Sequence, residues 1–118
     1  MQPLTIDLQA RPNQQFRIDS FAVPAASRSE FEAAMHQNAA FLEMLPGFKG
    51  HMVFEKLSGP TTFDIVTIAV WDSPEAMASA GEKVRAHYQS IGFNMQAMIA
   101  RWGVTASLGN YHAPLSLQ

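Results

Sequence analysis

The chain has 118 residues and a mass of 13.0 kDa, room for one small domain and no second core. Eight Lys and Arg against ten Asp and Glu give a formal net charge of −2, which excludes the basic footprint of a protein that binds nucleic acid or an anionic membrane. Only 15% of residues are charged, where ~25% is usual, and 47% are hydrophobic, which excludes disorder and asks for another chain to cover part of the surface.

Residues 1–14 read as an N-terminal arm, with Leu4-Thr5-Ile6-Asp7-Leu8 able to add a short edge strand beside Pro3 and Pro12. Phe16 to Val23 is rich in β formers and ends at Pro24, so it predicts the first full strand. Ser27 and Glu30 have capping-box spacing, repeated by Ser29 and Glu32, and announce a helix. Phe31, Ala34, Met35, Asn38, Leu42 and Leu45 recur at helical spacing as its inward stripe, until Pro46-Gly47 stops it. His36 flanks that stripe and is expected at a helix boundary.

Phe48 to Leu57 predicts a second strand and Ser58-Gly59-Pro60-Thr61 the turn after it. Phe63 to Trp71 predicts a third, apolar on both faces: Phe63, Ile65, Thr67, Ala69 and Trp71 on one, Asp64, Val66, Ile68 and Val70 on the other. Asp72-Ser73-Pro74-Glu75 opens a second helix with a capping side chain, a first-turn proline and an early acid. Its inward stripe is Ala76, Met77, Ala80, Val84, His87, Tyr88 and Ile91, and Gly92 ends it. Asn94 caps a short further helix that closes at Gly103. Val104 to Leu108 predicts the last strand, with a loose tail from Gly109 to Gln118.

Strand, helix, strand, strand, helix, strand is the order of a ferredoxin-like α+β protomer, a βαββαβ unit with a four-stranded antiparallel sheet and helices on one face. Two helices cover one face only, which leaves Val66, Ile68 and Val70 bare on the other. A bare apolar sheet is an association surface, and a second copy of the chain closes it most simply, as a homodimer.

Two junctions carry a family resemblance. Asn38-x-x-Phe41-Leu42-x-x-Leu45-Pro46-Gly47-Phe48-x-Gly50 and Val70-Trp71-Asp72-Ser73-Pro74-Glu75-Ala76 resemble the antibiotic biosynthesis monooxygenase family, over about Phe16 to Tyr111. The resemblance implies a domain at 15–111 between the 1–14 arm and a 112–118 tail, and a dimeric α+β barrel with two sheets face to face. It also implies one of several chemistries. Cofactor-free members oxidise phenolic, quinol-like or polyketide-type aromatics with O₂ and neither metal nor flavin. The substrate supplies the electrons, and the protein a dry pocket, a proton acceptor and hydrogen bonds to the developing anion. Other members degrade haem, and a non-catalytic dimeric module that binds a small apolar or aromatic molecule is the alternative of another class.

By that resemblance Trp71 looks like the pocket tryptophan of the cofactor-free members. Where those relatives place an Asn on the same strand face this chain has Thr67, and near their helix tyrosine it has Met77. The haem-degrading branch combines a first-strand Asn with a Trp and a ligand His on the second helix. Here those positions fall on Asp19 or Ser20, Ala80 and His87, one match of three, which makes haem degradation the weaker reading.

No cysteine is present, which removes disulfides, thiolate metal sites and thiol nucleophiles. The four histidines, His36, His51, His87 and His112, form no His-x-x-x-His or Glu-x-x-His ligand pair, so no metal is expected. The first residues lack the basic and apolar regions of a secretory signal, and no apolar run reaches the ~18 residues of a membrane span. A soluble, cytoplasmic protein is expected.

His87 is either a hydrogen-bonded core histidine or the general base, and His51 is the rival base, on a strand face that alternation leaves open. Asn38 stands where leucine is expected, so it either caps local structure or points a hydrogen bond into a cavity. Seven methionines serve as core filler or as the soft wall of a pocket. The expected site therefore has Trp71 and His87 as catalytic residues, with Asn38, Thr67, Met77, Tyr88 and His51 binding substrate. The small residues Ala34, Ala69, Ala76 and Ala80 leave either a cavity joining Trp71 to His87 or Asn38, or close helix–sheet packing.

Overall fold

The computed structural model describes Leu4, residues 6–8 and residues 12–118. Its elements are strand β1 (Gln15–Ala22), helix α1 (Arg28–Leu42), β2 (Phe48–Glu55), β3 (Ile65–Trp71), α2 (Pro74–Ser90), α3 (Met95–Trp102) and β4 (Thr105–Tyr111). Short 3₁₀ turns lie at Ala25–Ser27 and Leu115–Leu117. The strands order β2-β3-β1-β4, every pair antiparallel, which is the ferredoxin-like arrangement. Among the described residues no helix is long and apolar enough to cross a membrane.

Pairing assigns the faces. Opposite residues of an antiparallel pair share a face, so the rows across β2, β3 and β1 can be read from the register. On the open face these are Gly50–Val70–Phe16, Met52–Ile68–Ile18 and Phe54–Val66–Ser20. On the helix face they are Phe48–Trp71–Gln15, His51–Ala69–Arg17, Val53–Thr67–Asp19 and Glu55–Ile65–Phe21. The two faces expected of β3 are therefore those observed.

The core sits at one end of the helix face. Val23, Phe31, Ile65, Trp102 and Val104 are buried together, with Phe21, Ala34, Met35, Phe93, Met98 and Ile99 packed around them. Phe31 meets Phe21 and Trp102 edge-on, with ring centroids 5.1 and 6.0 Å away. The cluster binds the first half of α1 and all of α3 to the ends of β1 and β3.

The expected capping box does not form. Ser27 ends the 3₁₀ turn in a helical conformation, and its hydroxyl donates to the Trp102 carbonyl at 2.8 Å instead of capping α1. Glu30, its expected partner, accepts from the Trp102 indole Nε1 at 2.9 Å, and Glu32 pairs with Arg28 at 2.8 Å. Tertiary contacts to α3 thus take the groups that local spacing assigned to a cap. The caps of α2 and α3 form as expected: Ser73 accepts from Ala76 N–H at 3.1 Å, and Asn94 from Ala97 N–H at 3.0 Å.

Three further expectations are corrected. β4 runs on to Tyr111, because Gly109, Asn110 and Tyr111 pair with Ile18, Arg17 and Phe16 and so leave the tail expected to be loose. Leu4, Ile6, Asp7 and Leu8 carry no strand, and Thr5 lies outside the described residues. His36 lies inside α1 on its exposed side, not at a boundary.

Candidate functional site

Between the core and the Trp71 end, the helix face of the sheet carries polar residues where a two-layer fold would place apolar ones. β1 sends Phe16 and Ile18 to the open face and Arg17 and Asp19 beneath the helices. Thr67 and Ala69 lie beside them on β3, His51 on β2 and Asn110 on β4. The face is not sealed: Val53 and Leu108, which flank Thr67 and Asp19 on this side, are 50% and 54% exposed.

Pairing with Ala69 puts His51 on the helix face, after a bulge between Phe48 and Gly50. Among the described residues three buried side-chain polar atoms have no hydrogen-bond partner: Nε2 and Oε1 of Gln14, and Nδ1 of His51. A buried imidazole nitrogen without a partner costs free energy unless something completes it, and such groups gather at working sites. The Phe48 ring lies 6.3 Å from that of His51 and meets Trp71 edge-on at 5.1 Å. Trp71 is itself 4% exposed, so its indole and Phe48 wall one end of the His51 row.

The other expected residues gather between the helices. The Tyr88 hydroxyl donates to Asn38 Oδ1 at 2.9 Å, tying α2 to α1, and burial pushes the Tyr88 phenol above its ordinary pKa, so it stays protonated as a donor. His87 lies flat against Phe41, ring centroids 4.1 Å apart and planes within 9°. Asn38, His87 and Tyr88 line a cleft of about 30 Å³ with Ala34, Gln37, Ile91 and Phe93. Trp71 is not among its walls, nor is Met77, which is half-buried in the first turns of α2. The expected residues therefore fall into two groups: Trp71, Thr67 and His51 on the sheet, Asn38, His87 and Tyr88 on the helices. An open groove of about 310 Å³ at the core end, lined by Val23, Asp64 and Thr105 among others, holds none of them.

Arg17, Asp19 and Asn110 were missed as members of this face, although alternation along Gln15-Phe16-Arg17-Ile18-Asp19 carries the signal. Arg17 Nε donates to Asp19 Oδ1 at 2.7 Å and Nη1 to Asn110 Oδ1 at 3.5 Å. No group of three or more His, Asp or Glu side chains suited to a metal ion occurs among the described residues.

Comparison with known proteins places this fold. No family model matches the chain and no curated protein matches its sequence. Solved structures do match. SnoaB, a cofactor-independent oxygenase from Streptomyces nogalater, is 28% identical, with 89% of this chain and 97% of that one covered and a TM-score of 0.62. A candidate antibiotic biosynthesis monooxygenase from Nitrosomonas europaea is 17% identical, with 87% and 92% covered and a TM-score of 0.62. MhuD, a haem degrader from Mycobacterium tuberculosis solved with two haems in its active site, is 23% identical, with 86% and 96% covered and a TM-score of 0.52.

Proposed function

We propose that this chain, which has the fold of the antibiotic biosynthesis monooxygenases, is a cofactor-independent monooxygenase for a phenolic, quinol-like or polyketide-type aromatic. The observation that carries the reading is the His51 Nδ1, buried without a partner on a polar sheet face walled by Trp71 and Phe48. His87 stacks its ring on Phe41, whereas His51 has the buried nitrogen without a partner, and on that ground we assign the base to His51. Trp71 offers an aromatic wall, Thr67 a hydroxyl to the developing anion, and Ala69 the space above the sheet.

For a substrate with an acidic CH₂ beside an aromatic ring, His51 takes one proton and leaves a carbanion delocalised as the enolate. The anion gives an electron to O₂, and the two radicals join as a C–O bond. The peroxide anion takes the proton back from His51, and the hydroperoxide then loses its remaining C–H proton and its distal hydroxide, together one water, leaving C=O. One oxygen atom ends in the product and the other in water, so CH₂ and O₂ become C=O and H₂O with no outside reductant. The unpartnered His51 nitrogen is the group placed to carry both proton transfers.

Haem degradation is the weaker reading, because Asp19 or Ser20 and Ala80 stand where the haem-degrading branch has its Asn and Trp. The soluble partner inferred for the open face is a second copy of the chain, since Met52 and Phe54 are 43% and 45% exposed beside half-buried Ile18, Val66 and Ile68.

The test is O₂ uptake with a panel of anthrones and hydroquinones, without added metal or flavin. Stimulated uptake that falls on the order of 100-fold or more in His51→Ala, with His87→Ala far less affected, supports the reading. Binding without uptake supports the non-catalytic module instead, and spectral capture of added haem would reopen haem chemistry.

A further inference from the structure

Arg17 has no part in the proton chemistry, yet its register places it on the helix side of the sheet in the same row as His51. Its row across the sheet reads His51, Ala69, Arg17, Asn110, on β2, β3, β1 and β4 in turn. Neighbouring strands lie about 4.8 Å apart, so the His51 and Arg17 backbones are separated by roughly 10 Å. In the sheet row the half-buried Ala69 alone stands between them, and the separation matches the length of one aromatic ring with a substituent at either end.

The guanidinium is held in place. Asp19 takes its Nε at 2.7 Å and Asn110 lies 3.5 Å from Nη1, while Nη2 meets no partner among the described residues. Arg17 and Asp19 side chains are 40% and 19% exposed, so the fork is anchored on one edge and reachable on the other. Asp19 also repels an anion from the Nε edge, which confines it to the Nη edge. That planar edge matches a carboxylate better than a lone carbonyl oxygen.

We propose that the site takes an aromatic acid: a ring over Ala69, its carboxylate on the Nη edge of Arg17 and its reacting end toward His51. The inference rests on the reading of this sheet face as the substrate face. Arg17 is then the residue that selects the substrate, while His51 and O₂ do the chemistry.

The experiment is an anaerobic calorimetric titration of the intact protein with 2,5-dihydroxybenzoate and with hydroquinone, which differ by the carboxylate alone. Without O₂ no turnover is needed, so a failure of the oxygenase reading leaves this result readable, and the reverse holds too. Wild type is expected to bind the acid about tenfold tighter or better. Arg17→Gln should bring the two Kd values together, and Arg17→Lys should keep part of the preference. Raising the ionic strength from about 0.05 M to about 0.5 M should weaken the acid and leave hydroquinone alone, a readout that needs no variant. Equal binding of the two compounds, binding of neither, or a preference that survives in folded Arg17→Gln would each overturn the proposal.

Discussion

Tyr88 and Asn38 show what a single buried pair does for this fold. The phenol donates to Asn38 Oδ1 at 2.9 Å across the gap between α1 and α2, in a place where the helix stripe called for leucine. Burial raises the Tyr88 pKa above its ordinary value of 10.0, because the charged phenolate would lose its water. The folded state then holds its proton to higher pH than the unfolded chain. Stability from this group is complete below pH 10.0 and declines as pH rises beyond it, since the unfolded chain ionises first. Tyr88→Phe should cost about 1 kcal/mol at neutral pH by removing the hydrogen bond. The cleft beside it has about 30 Å³, room for one water to reach Asn38, which holds the cost down. The variant should also lose less stability than wild type between about pH 10 and pH 11 in urea titrations. Parallel alkaline slopes in the two proteins would mean that the phenol is not what burial perturbs.

At the scale of elements, the two junction motifs meet in space. Gly47, in the turn before β2, has φ +83° and faces Ala76 of α2 so closely that a Cβ on it would overlap the Ala76 methyl. The Gly47 carbonyl accepts from Asp72 N–H at 2.8 Å, and Lys49 pairs with Asp72 at 3.7 Å. One motif therefore supplies the notch and the other the small residue that fills it, with Trp71 between them at the strand end. Gly47→Ala combines a left-handed backbone with overpacking and should lower stability by about 2–4 kcal/mol, read as a shifted denaturation midpoint. Gly92→Ala has the same sign of φ with open space around it, so it should cost about 1–2 kcal/mol. Equal losses at the two sites would mean that the contact with Ala76 carries no weight. Elements like these were legible because local chemistry decides them: Ser73 and Asn94 cap where they stand, whereas α1 ends at Leu42 and leaves Leu45, expected in its stripe, in the turns before Pro46-Gly47. The end of β4 was not, since Gly109 and Asn110 are poor β formers held in the sheet by pairing with β1. The site was half legible. Thr67, Ala69 and Trp71 were read correctly as one face, but the side of His51 depended on a bulge, and the separation of His87 from Trp71 on where α2 lies. Arg17 was passed over, and Asp19 was weighed only against the first-strand Asn of the haem-degrading branch, because alternation was read along β3 and not along β1.

For the whole molecule the decisive contrast is between the two sides of the sheet. The middle of the side under the helices carries Arg17, Asp19, Thr67, His51 and Asn110 beside the core residues Phe21 and Ile65, and the side without helices carries Phe16, Ile18, Met52, Phe54, Val66, Ile68 and Val70. Leu4 of the arm lies against Gly50 and covers one end of that apolar side. Val70, expected to be bare, is fully buried and Phe16 is 8% exposed; Ile18, Val66 and Ile68 are half-buried, and Met52, Phe54 and Tyr111 are 43%, 45% and 53% exposed. A chain with 15% charged residues has little polar surface to offset such a face, so mass action should favour its closure by a second copy. Ile68 sits mid-face between Ile18 and Met52, which makes it the position to test. In a lone protomer Ile68→Asp would put a carboxylate on a side that water reaches, and the change would cost little. Between two packed sheets the same carboxylate is desolvated without a cation, at a cost of several kcal/mol for each copy. Sedimentation equilibrium should therefore find wild type at twice the 13.0 kDa chain mass and Ile68→Asp at the single-chain mass or unfolded. A wild-type protein that sediments as one chain at tens of micromolar, with Ile68→Asp equally stable, would show that this face stays bare.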